Sequence, residues 1–260
     1  MPHRTITLDA RPPLAVLTLA RPECGNRIDH ELLTQLREAL GDLAESGAIR
    51  AVVITGEREH FSLGWDSSLL AEGAIAFAAA QRARGSASAF DFIADSPLPV
   101  IAAINGAAFS AGFELALACD LRLASISARF GFPEAAEGRL PMGGGTQRLA
   151  RLAGRGAALE MILTAEPIDA AGALARGLVS AVVDPQGLLD AAERQARVIA
   201  ERGPIAIRLA KEAVAHGLDM PLPQALRLET DLTILLQTTR DRAEGVQAFK
   251  EKRPPHFTGE

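Results

Sequence analysis

The chain has 260 residues, a mass of 27.4 kDa, a formal net charge of -5 and a pI of about 5.6. This length suits one large domain, or a domain with a helical extension, and allows a substantial core. The negative charge and the absence of a long basic run argue against nucleic acid or an acidic membrane surface as the main partner.

The amino terminus, MetProHisArgThr, lacks the continuous apolar segment of a secretory signal, and no uncharged apolar run reaches membrane-spanning length. A cytoplasmic protein without a membrane partner is therefore expected. The two cysteines, Cys24 and Cys119, form no CxxC pair and are predicted to be reduced, inert thiols. The five histidines show no HxH or HxxxH spacing, so the sequence predicts no metal site.

Apolar runs rich in Val and Ile alternate with helical segments through most of the chain. A helix is predicted from an Asp29 cap through about Ser46, and strands are predicted at 14–19, 51–56, 98–105, 121–126 and 178–183. Such runs separated by amphipathic helices indicate an α/β fold with parallel strands buried on both faces. Residues 66–95 contain no clear strand, and a segment of this length is often functional or mobile.

The last part of the chain is almost wholly helical after Gly203-Pro204. We therefore predict a core that contains the active site at 1–202 and a helical segment at 203–260. The helical segment 203–260 has more rows of apolar side chains than a peripheral extension should need, which favours packing against other subunits. These rows include Leu226, Leu228, Leu232, Leu235 and Leu236.

Two glutamates lie 20 positions apart in the central third of the chain, Glu114 and Glu134, each among small and apolar residues. An ionised carboxylate is poorly solvated there, so its pKa can rise toward neutrality. Paired carboxylates of this kind suit a proton-transferring active site. Their spacing alone, however, fits two unrelated charges better.

The residues around the two glutamates change that balance. The stretch IleAlaAlaIleAsnGlyAlaAlaPheSerAlaGlyPheGluLeuAlaLeuAlaCysAsp at 101–120 closely resembles the signature of the crotonase superfamily, the enoyl-CoA hydratases and isomerases. Supporting segments follow that order: PheSerLeuGlyTrpAsp at 61–66, PheProGlu at 132–134, ProMetGlyGlyGlyThrGlnArgLeu at 141–149 and AlaPheLysGluLysArgProPro at 248–255. The resemblance therefore spans nearly the whole chain.

This resemblance implies a spiral of ββα units, a C-terminal helical oligomerisation segment, and a trimer or a dimer of trimers. It implies an acyl-CoA substrate, so coenzyme A counts as part of the substrate and not as a cofactor. It implies no metal or redox cofactor. The chemistry common to the superfamily is stabilisation of a thioester enolate by hydrogen-bond donors. Alignment of the motifs puts these oxyanion donors on the backbone N–H groups of Trp65 and Ala111, where the family often has Ala and usually has Gly.

The resemblance also implies roles for the carboxylates. Glu134 would exchange the proton at C2, and Glu114 would position the water and help to deprotonate it. Enoyl isomerases of the superfamily typically keep one carboxylate, so the retained pair favours a hydratase. Met142 departs from a family glycine whose N–H helps to hold the water, while Glu137 is expected to be a solvated charge.

Contacts with coenzyme A are implied at the mouth of the site. The expected contacts are a wall formed by Trp65, the turn at Ala111, Met142 in the acyl pocket, and backbone groups of Asp66, Ser67 and Ser68. Arg27 stands where the family usually has a small residue, and either a CoA phosphate or a surface salt bridge would explain it. Lys250 and Lys252 match a segment that can touch CoA from a neighbouring subunit, although a solvated helix face is their default interpretation.

Three alternatives remain open at this level. Some segments look like carnitinyl-CoA dehydratase, but a quaternary ammonium substrate would favour an aromatic cage and the chain has 4% aromatic residues and no tyrosine. An enoyl isomerase is the second alternative, and a catalytically silent CoA-binding scaffold is the third. The triple glycine 143–145 lacks the phosphate-loop pattern and is predicted to be a helix-entry turn capped by Thr146.

Overall fold

The computed structural model describes residues 5–72 and 88–260. Its strands are β1 Ile6–Arg11, β2 Leu14–Leu19, β3 Ala51–Gly56, β4 His60–Ser62, β5 Val100–Ile104, β6 Ala107–Phe109, β7 Leu121–Ser125, β8 Arg129–Gly131, β9 Ile168–Asp169 and β10 Ala181–Val183. Its α-helices are α1 His30–Glu45, α2 Ser67–Glu72, α3 Asp91–Ala94, α4 Ala111–Ala118, α5 Gly145–Thr164, α6 Ala170–Ala175, α7 Leu188–Ala200, α8 Pro204–Gly217, α9 Leu222–Gln237 and α10 Arg240–Glu251. Short 3₁₀ helices span Pro22–Cys24, Pro133–Glu137 and Pro185–Gly187.

The described strands form two sheets. The larger has the order β1-β2-β3-β5-β7-β10, in which β1 and β2 are antiparallel and the remaining pairs are parallel. The smaller has the order β4-β6-β8-β9, with β4, β6 and β8 parallel and β9 antiparallel to β8.

From β3 to β8, consecutive strands alternate between the two sheets. β3, β5 and β7 lie in the larger sheet, and each is followed after a short connection by β4, β6 or β8 in the smaller one. A helix follows the second strand each time: α2, α4, or the 3₁₀ helix Pro133–Glu137. This succession is a spiral of ββα units, which confirms the predicted fold class. Because β4, β6 and β8 are parallel, their carboxyl ends meet at one edge of the smaller sheet.

Several predicted elements are confirmed. The strands at 14–19 and 51–56 have the predicted bounds, and nearly all of their residues are buried. Helix α1 begins after Asp29, whose side chain accepts a hydrogen bond from the N–H of Leu32 at 2.8 Å. One face of that helix is buried because its leucines recur every three or four positions. These residues are Leu32, Leu33, Leu36, Leu40 and Leu43.

Other predictions differ from the structure. The strand expected at 178–183 begins only at Ala181, since the N–H of Leu178 bonds to Ala173 at the end of α6. The strands at 98–105 and 121–126 are shorter by one to three residues, as Val100–Ile104 and Leu121–Ser125. The three-residue strands of the smaller sheet were not predicted. Of the segment 66–95, residues 73–87 lie outside the described part, and α2 and α3 occupy much of the rest.

The helices after Pro204 are tied to the core by polar contacts. Lys211 of α8 forms an ion pair of 2.8 Å with Asp120 and donates to the carbonyl of Leu98 at 3.2 Å. Near the carboxyl end, Arg50 donates to the carbonyl of Phe257 at 2.7 Å. Among the described residues, no helix combines the length and apolar composition needed to cross a membrane.

Candidate active site

The candidate site lies at the carboxyl ends of β4, β6 and β8. Trp65 follows β4, Ser110 and helix α4 follow β6, and Glu134 follows β8 in the 3₁₀ helix Pro133–Glu137. The two glutamates of the sequence therefore reach one edge of the same sheet, although they come from different units of the spiral. Both are completely buried.

Glu114 is held by the turn that precedes α5. Its Oε1 accepts the N–H groups of Gly143 at 2.7 Å and Gly145 at 2.9 Å. Its Oε2 is buried without a hydrogen-bond partner among the described residues. Burial raises the pKa of Glu114 to about 7, against the two N–H groups that lower it, and the nearby charge of Glu134 also raises it. The predicted rise toward neutrality is confirmed for this residue.

Glu134 is anchored in the same one-sided way. Its Oε1 accepts a short hydrogen bond from the hydroxyl of Ser110, while its Oε2 is buried and has no partner within the described ranges. Pro133 suits the first position of the 3₁₀ helix because its missing N–H would be unsatisfied there anyway. Each carboxylate thus has one oxygen fixed by the protein and a second oxygen that makes no bond to a described residue.

A network behind the glycine turn fixes the first carboxylate. The carbonyl of Gly143 accepts from the Ser88 hydroxyl at 2.6 Å and from Arg148 at 2.9 Å. Arg148 also pairs with Asp91 at 2.8 Å. No sequence pattern predicted these roles or the hydrogen bond from Ser110 to Glu134. The run of three glycines was the available signal, since added Cβ atoms at Gly143 and Gly145 would lie 2.7 and 3.0 Å from the oxygens of Glu114.

The triple glycine 143–145 leads into helix α5 without a side-chain cap. Helix α5 begins at Gly145 with Gly144 as its N-cap, and no side chain caps it. Thr146 lies inside the first turn, so the predicted Thr146 cap is wrong. Gly144 has a φ of 100°, a left-handed conformation that favours glycine over the predicted cap residue.

Ala111 is the first residue of α4, and its N–H therefore belongs to the group that has no acceptor within the helix. The preceding Ser110 has φ 51° and ψ -127°, a strained conformation that turns the chain sharply from β6 into the helix. The helix dipole adds partial positive charge at this end. Because Ala111 itself is helical, alanine fits where the family usually has glycine.

Trp65 lies in the loop after β4, pressed against that turn. An added Cβ at Gly64 would lie 2.6 Å from the Cβ of Ser110, and Gly64 has a φ of 108° that favours glycine. The indole is buried and stacks on Phe90 with ring centroids 5.7 Å apart. The loop that contains Trp65 and the turn that contains Ala111, whose N–H groups are the predicted oxyanion donors, are thus neighbours.

The residues predicted to contact CoA differ in their exposure and in their bonding partners. The carboxylate of Asp66 accepts from the N–H and hydroxyl of Ser68 and pairs with Arg21, and these contacts lower its pKa, with the Ser68 N–H as the first cause. Ser67 and Ser68 are exposed in the first turn of α2, and Met142 is half-buried against the core. Arg27 bonds to the backbone of the Trp65 loop.

Three other charges lie at the periphery. Glu137 is paired with Arg139 and is half exposed, in accord with its predicted role as a solvated charge. Lys250 and Lys252 are exposed at the end of α10. Both cysteines are free thiols, and burial raises the pKa of Cys119 to about 12.

The family model described as enoyl-CoA hydratase/isomerase matches residues 10–260. The chain belongs to this family. Among relatives of the enzyme are crotonyl-CoA hydratase of Syntrophomonas wolfei, 37% identical with 99% of each chain covered, and 2,3-dehydroadipyl-CoA hydratase of Escherichia coli, 40% identical with 94% of each covered.

A solved enoyl-CoA hydratase from Geobacillus kaustophilus superposes on this enzyme with a TM-score of 0.92 at 35% identity, covering 99% of both chains. The two hydratases above are named for different acyl groups at similar identity to this chain. Membership of the enoyl-CoA hydratase/isomerase family therefore establishes the class of enzyme, and the acyl group must be found from the site.

Proposed function

We propose that this enzyme adds water reversibly to trans-2-enoyl-CoA thioesters. The observation that supports this most directly is the matched anchoring of two buried carboxylates. In each of Glu114 and Glu134, Oε1 is held by the protein and Oε2 makes no bond to a described residue. Two such oxygens beside a helix amino end are suited to holding one water against an activated double bond.

The proposed reaction adds the oxygen of water to C3 and a proton to C2. The carboxylate of Glu114 accepts a proton from water as the water oxygen bonds to C3. The electrons of the C2–C3 double bond move toward the thioester oxygen, where the N–H groups of Trp65 and Ala111 stabilise the enolate. Glu134 then delivers a proton to C2, and proton exchange between the two carboxyls restores the starting state. The step uses no metal or redox cofactor.

The pair of carboxylates favours hydration over isomerisation. Moving a double bond within an acyl chain needs one group to remove and return a proton, whereas hydration also needs a group that activates water. A silent scaffold would have no use for two buried, poorly solvated carboxylates, which are costly to keep in a fold. The hydratase is therefore the better supported activity.

The decisive experiment compares carboxamide variants by following loss of the enoyl thioester absorbance. Glu114→Gln and Glu134→Gln should each lower kcat by roughly a hundredfold or more with modest changes in KM. The exposed Glu137→Gln is the matched control and should remain near wild type. Wild-type turnover in Glu134→Gln would contradict the mechanism. If crotonyl-, hexenoyl-, decenoyl- and crotonobetainyl-CoA are inert while a 3-enoyl-CoA reacts, the enzyme is an isomerase.

We also propose a homotrimer or hexamer, with 203–260 as the packing segment and Lys250 and Lys252 reaching a neighbouring CoA. Helix α9 supports this proposal because it has no buried residue and exposes apolar side chains in the single chain. Among these, Leu222 is 69% exposed, Leu226 52%, Ile234 62% and Leu235 53%. A helix face of this kind is usually covered in the assembled protein.

A further inference from the structure

Arg27 departs from the small residue usual in the family, and its side chain does not extend freely into solvent. It is half-buried, and its Nη1 donates to the carbonyl of Leu63 at 3.3 Å and to the carbonyl of Trp65 at 3.1 Å. One guanidinium therefore spans two carbonyls of the loop that contains the proposed oxyanion donor Trp65.

The backbone geometry shows on which side this guanidinium lies. Ile28 pairs with Trp65 in a parallel bridge: its N–H donates to Gly64 at 2.8 Å, and its carbonyl accepts from Asp66 at 2.9 Å. In trans peptides the N–H and C=O point in opposite directions, so the N–H and C=O of Trp65 both face away from Ile28. Arg27, bound to that carbonyl, is on the same side as the Trp65 N–H.

This side of the loop faces the site. A cavity of about 170 Å³ is lined by Arg27, Trp65 and Ser110, together with Glu137 and Arg139. Ser110 immediately precedes the second proposed donor, Ala111. The positive charge of Arg27 therefore lies beside the same cavity as both turns.

A second arginine holds Arg27 in place. Arg21 donates to the backbone carbonyl of Arg27 at 2.8 Å and forms ion pairs of 2.7 Å with Asp29 and 3.2 Å with Asp66. Asp66 follows Trp65 directly. The two arginines thus link the segment 63–66 to the segment 27–29 through bonds before and after Trp65.

We propose that Arg27 is a positioning residue for the oxyanion hole, a role that rests on the proposed hydratase function. By fixing the carbonyls of Leu63 and Trp65 it holds the Trp65 N–H in one direction, and its charge favours the developing enolate. Fixed donors and charges accelerate such a step because they need not reorganise as charge develops. Arg27 acts through Trp65 and need not touch the substrate.

Arg27→Ala should lower kcat by about 10- to 100-fold while KM changes by less than about threefold, because the contact acts mainly in the transition state. Arg27→Lys should recover kcat only in part, since one ammonium has enough donors for the two carbonyls that Nη1 contacts but is held on a flexible stem without the planar guanidinium. Arg176→Ala is the matched control, because this half-buried guanidinium also donates to a backbone carbonyl, that of Gly172 at 3.3 Å, but does not line the cavity. Its kcat should stay within about twofold of wild type.

A spectroscopic readout separates positioning from general damage. A chromophoric aryl-enoyl-CoA absorbs at longer wavelength when its thioester carbonyl is polarised, so the shift on binding reports the oxyanion hole itself. The shift should be present in wild type and Arg176→Ala and largely lost in Arg27→Ala. If Arg27→Ala does not fold, Arg27→Gln is measured in the same way.

The contrary results are distinct. An unchanged kcat and spectrum in Arg27→Ala would overturn the proposal, and so would a rise in KM alone, which would make Arg27 an ordinary CoA contact. Failure of wild type to hydrate any enoyl-CoA would contradict the hydratase function instead. The spectral shift of the bound aryl-enoyl-CoA would still test the positioning role in that case.

Discussion

Replacing Glu114 by glutamine should make the protein more stable at alkaline pH while it removes activity. Burial raises the pKa of Glu114 from 4.5 to about 7, so the folded state holds this proton more tightly than the unfolded chain. At about 1.4 kcal/mol per pH unit, the ionised carboxylate costs roughly 3 kcal/mol of stability above pH 7. Glutamine avoids that cost and still offers Oε1 to Gly143 and Gly145.

The sign of the pH dependence follows from this difference. Between pH 4.5 and 7 the folded protein binds more protons at this site than the unfolded chain, so wild-type stability falls as pH rises through that window. Above pH 7 the full cost is present, and below pH 4.5 it disappears. The advantage of Glu114→Gln should therefore be greatest near pH 8 and vanish near pH 4.

Denaturant unfolding at fixed protein concentration from pH 4 to 8.5 measures this advantage. The single tryptophan, Trp65, is buried, so its fluorescence reports the transition. Glu137→Gln is the control, since its half-exposed side chain should leave stability within about 0.5 kcal/mol of wild type at every pH. A Glu114→Gln protein less stable than wild type at pH 8, or an advantage independent of pH, would refute the reasoning.

Two further predictions test the glycine turn and the assembly. Gly145→Ala would bring a Cβ within 2.6 Å of Phe132 and 3.0 Å of Glu114. Its kcat should therefore fall at least tenfold and its stability by about 1–3 kcal/mol. Gly156→Ala is the control, because the space around Gly156 is open, and it should be near neutral in both assays. Light scattering at micromolar concentration should give a trimeric or hexameric mass, and deletion from Gly203 should give insoluble or inactive protein; a stable, active monomer would contradict the proposed interface.

The sequence by itself determined the elements whose signal is local. The apolar runs at 14–19 and 51–56 predicted strands with the observed bounds, and Asp29 followed by regularly spaced leucines specified where α1 begins. The motif around Glu114 was sufficient for the superfamily. Its apolar neighbours also predicted the raised pKa, because poor solvation of a carboxylate is a property of the surrounding residue types.

The tertiary structure alone decided how the site is assembled. β4, β6 and β8 have three residues each, too few for a periodic pattern, yet their parallel carboxyl ends bring Trp65, Ser110 and Glu134 together. The N–H groups of Gly143 and Gly145 donate hydrogen bonds to Glu114, which lies about 30 residues away along the chain. Arg27 could equally have been a phosphate contact or a surface charge. Its bonds to the Trp65 loop depend on packing between segments distant in sequence, which no local pattern encodes.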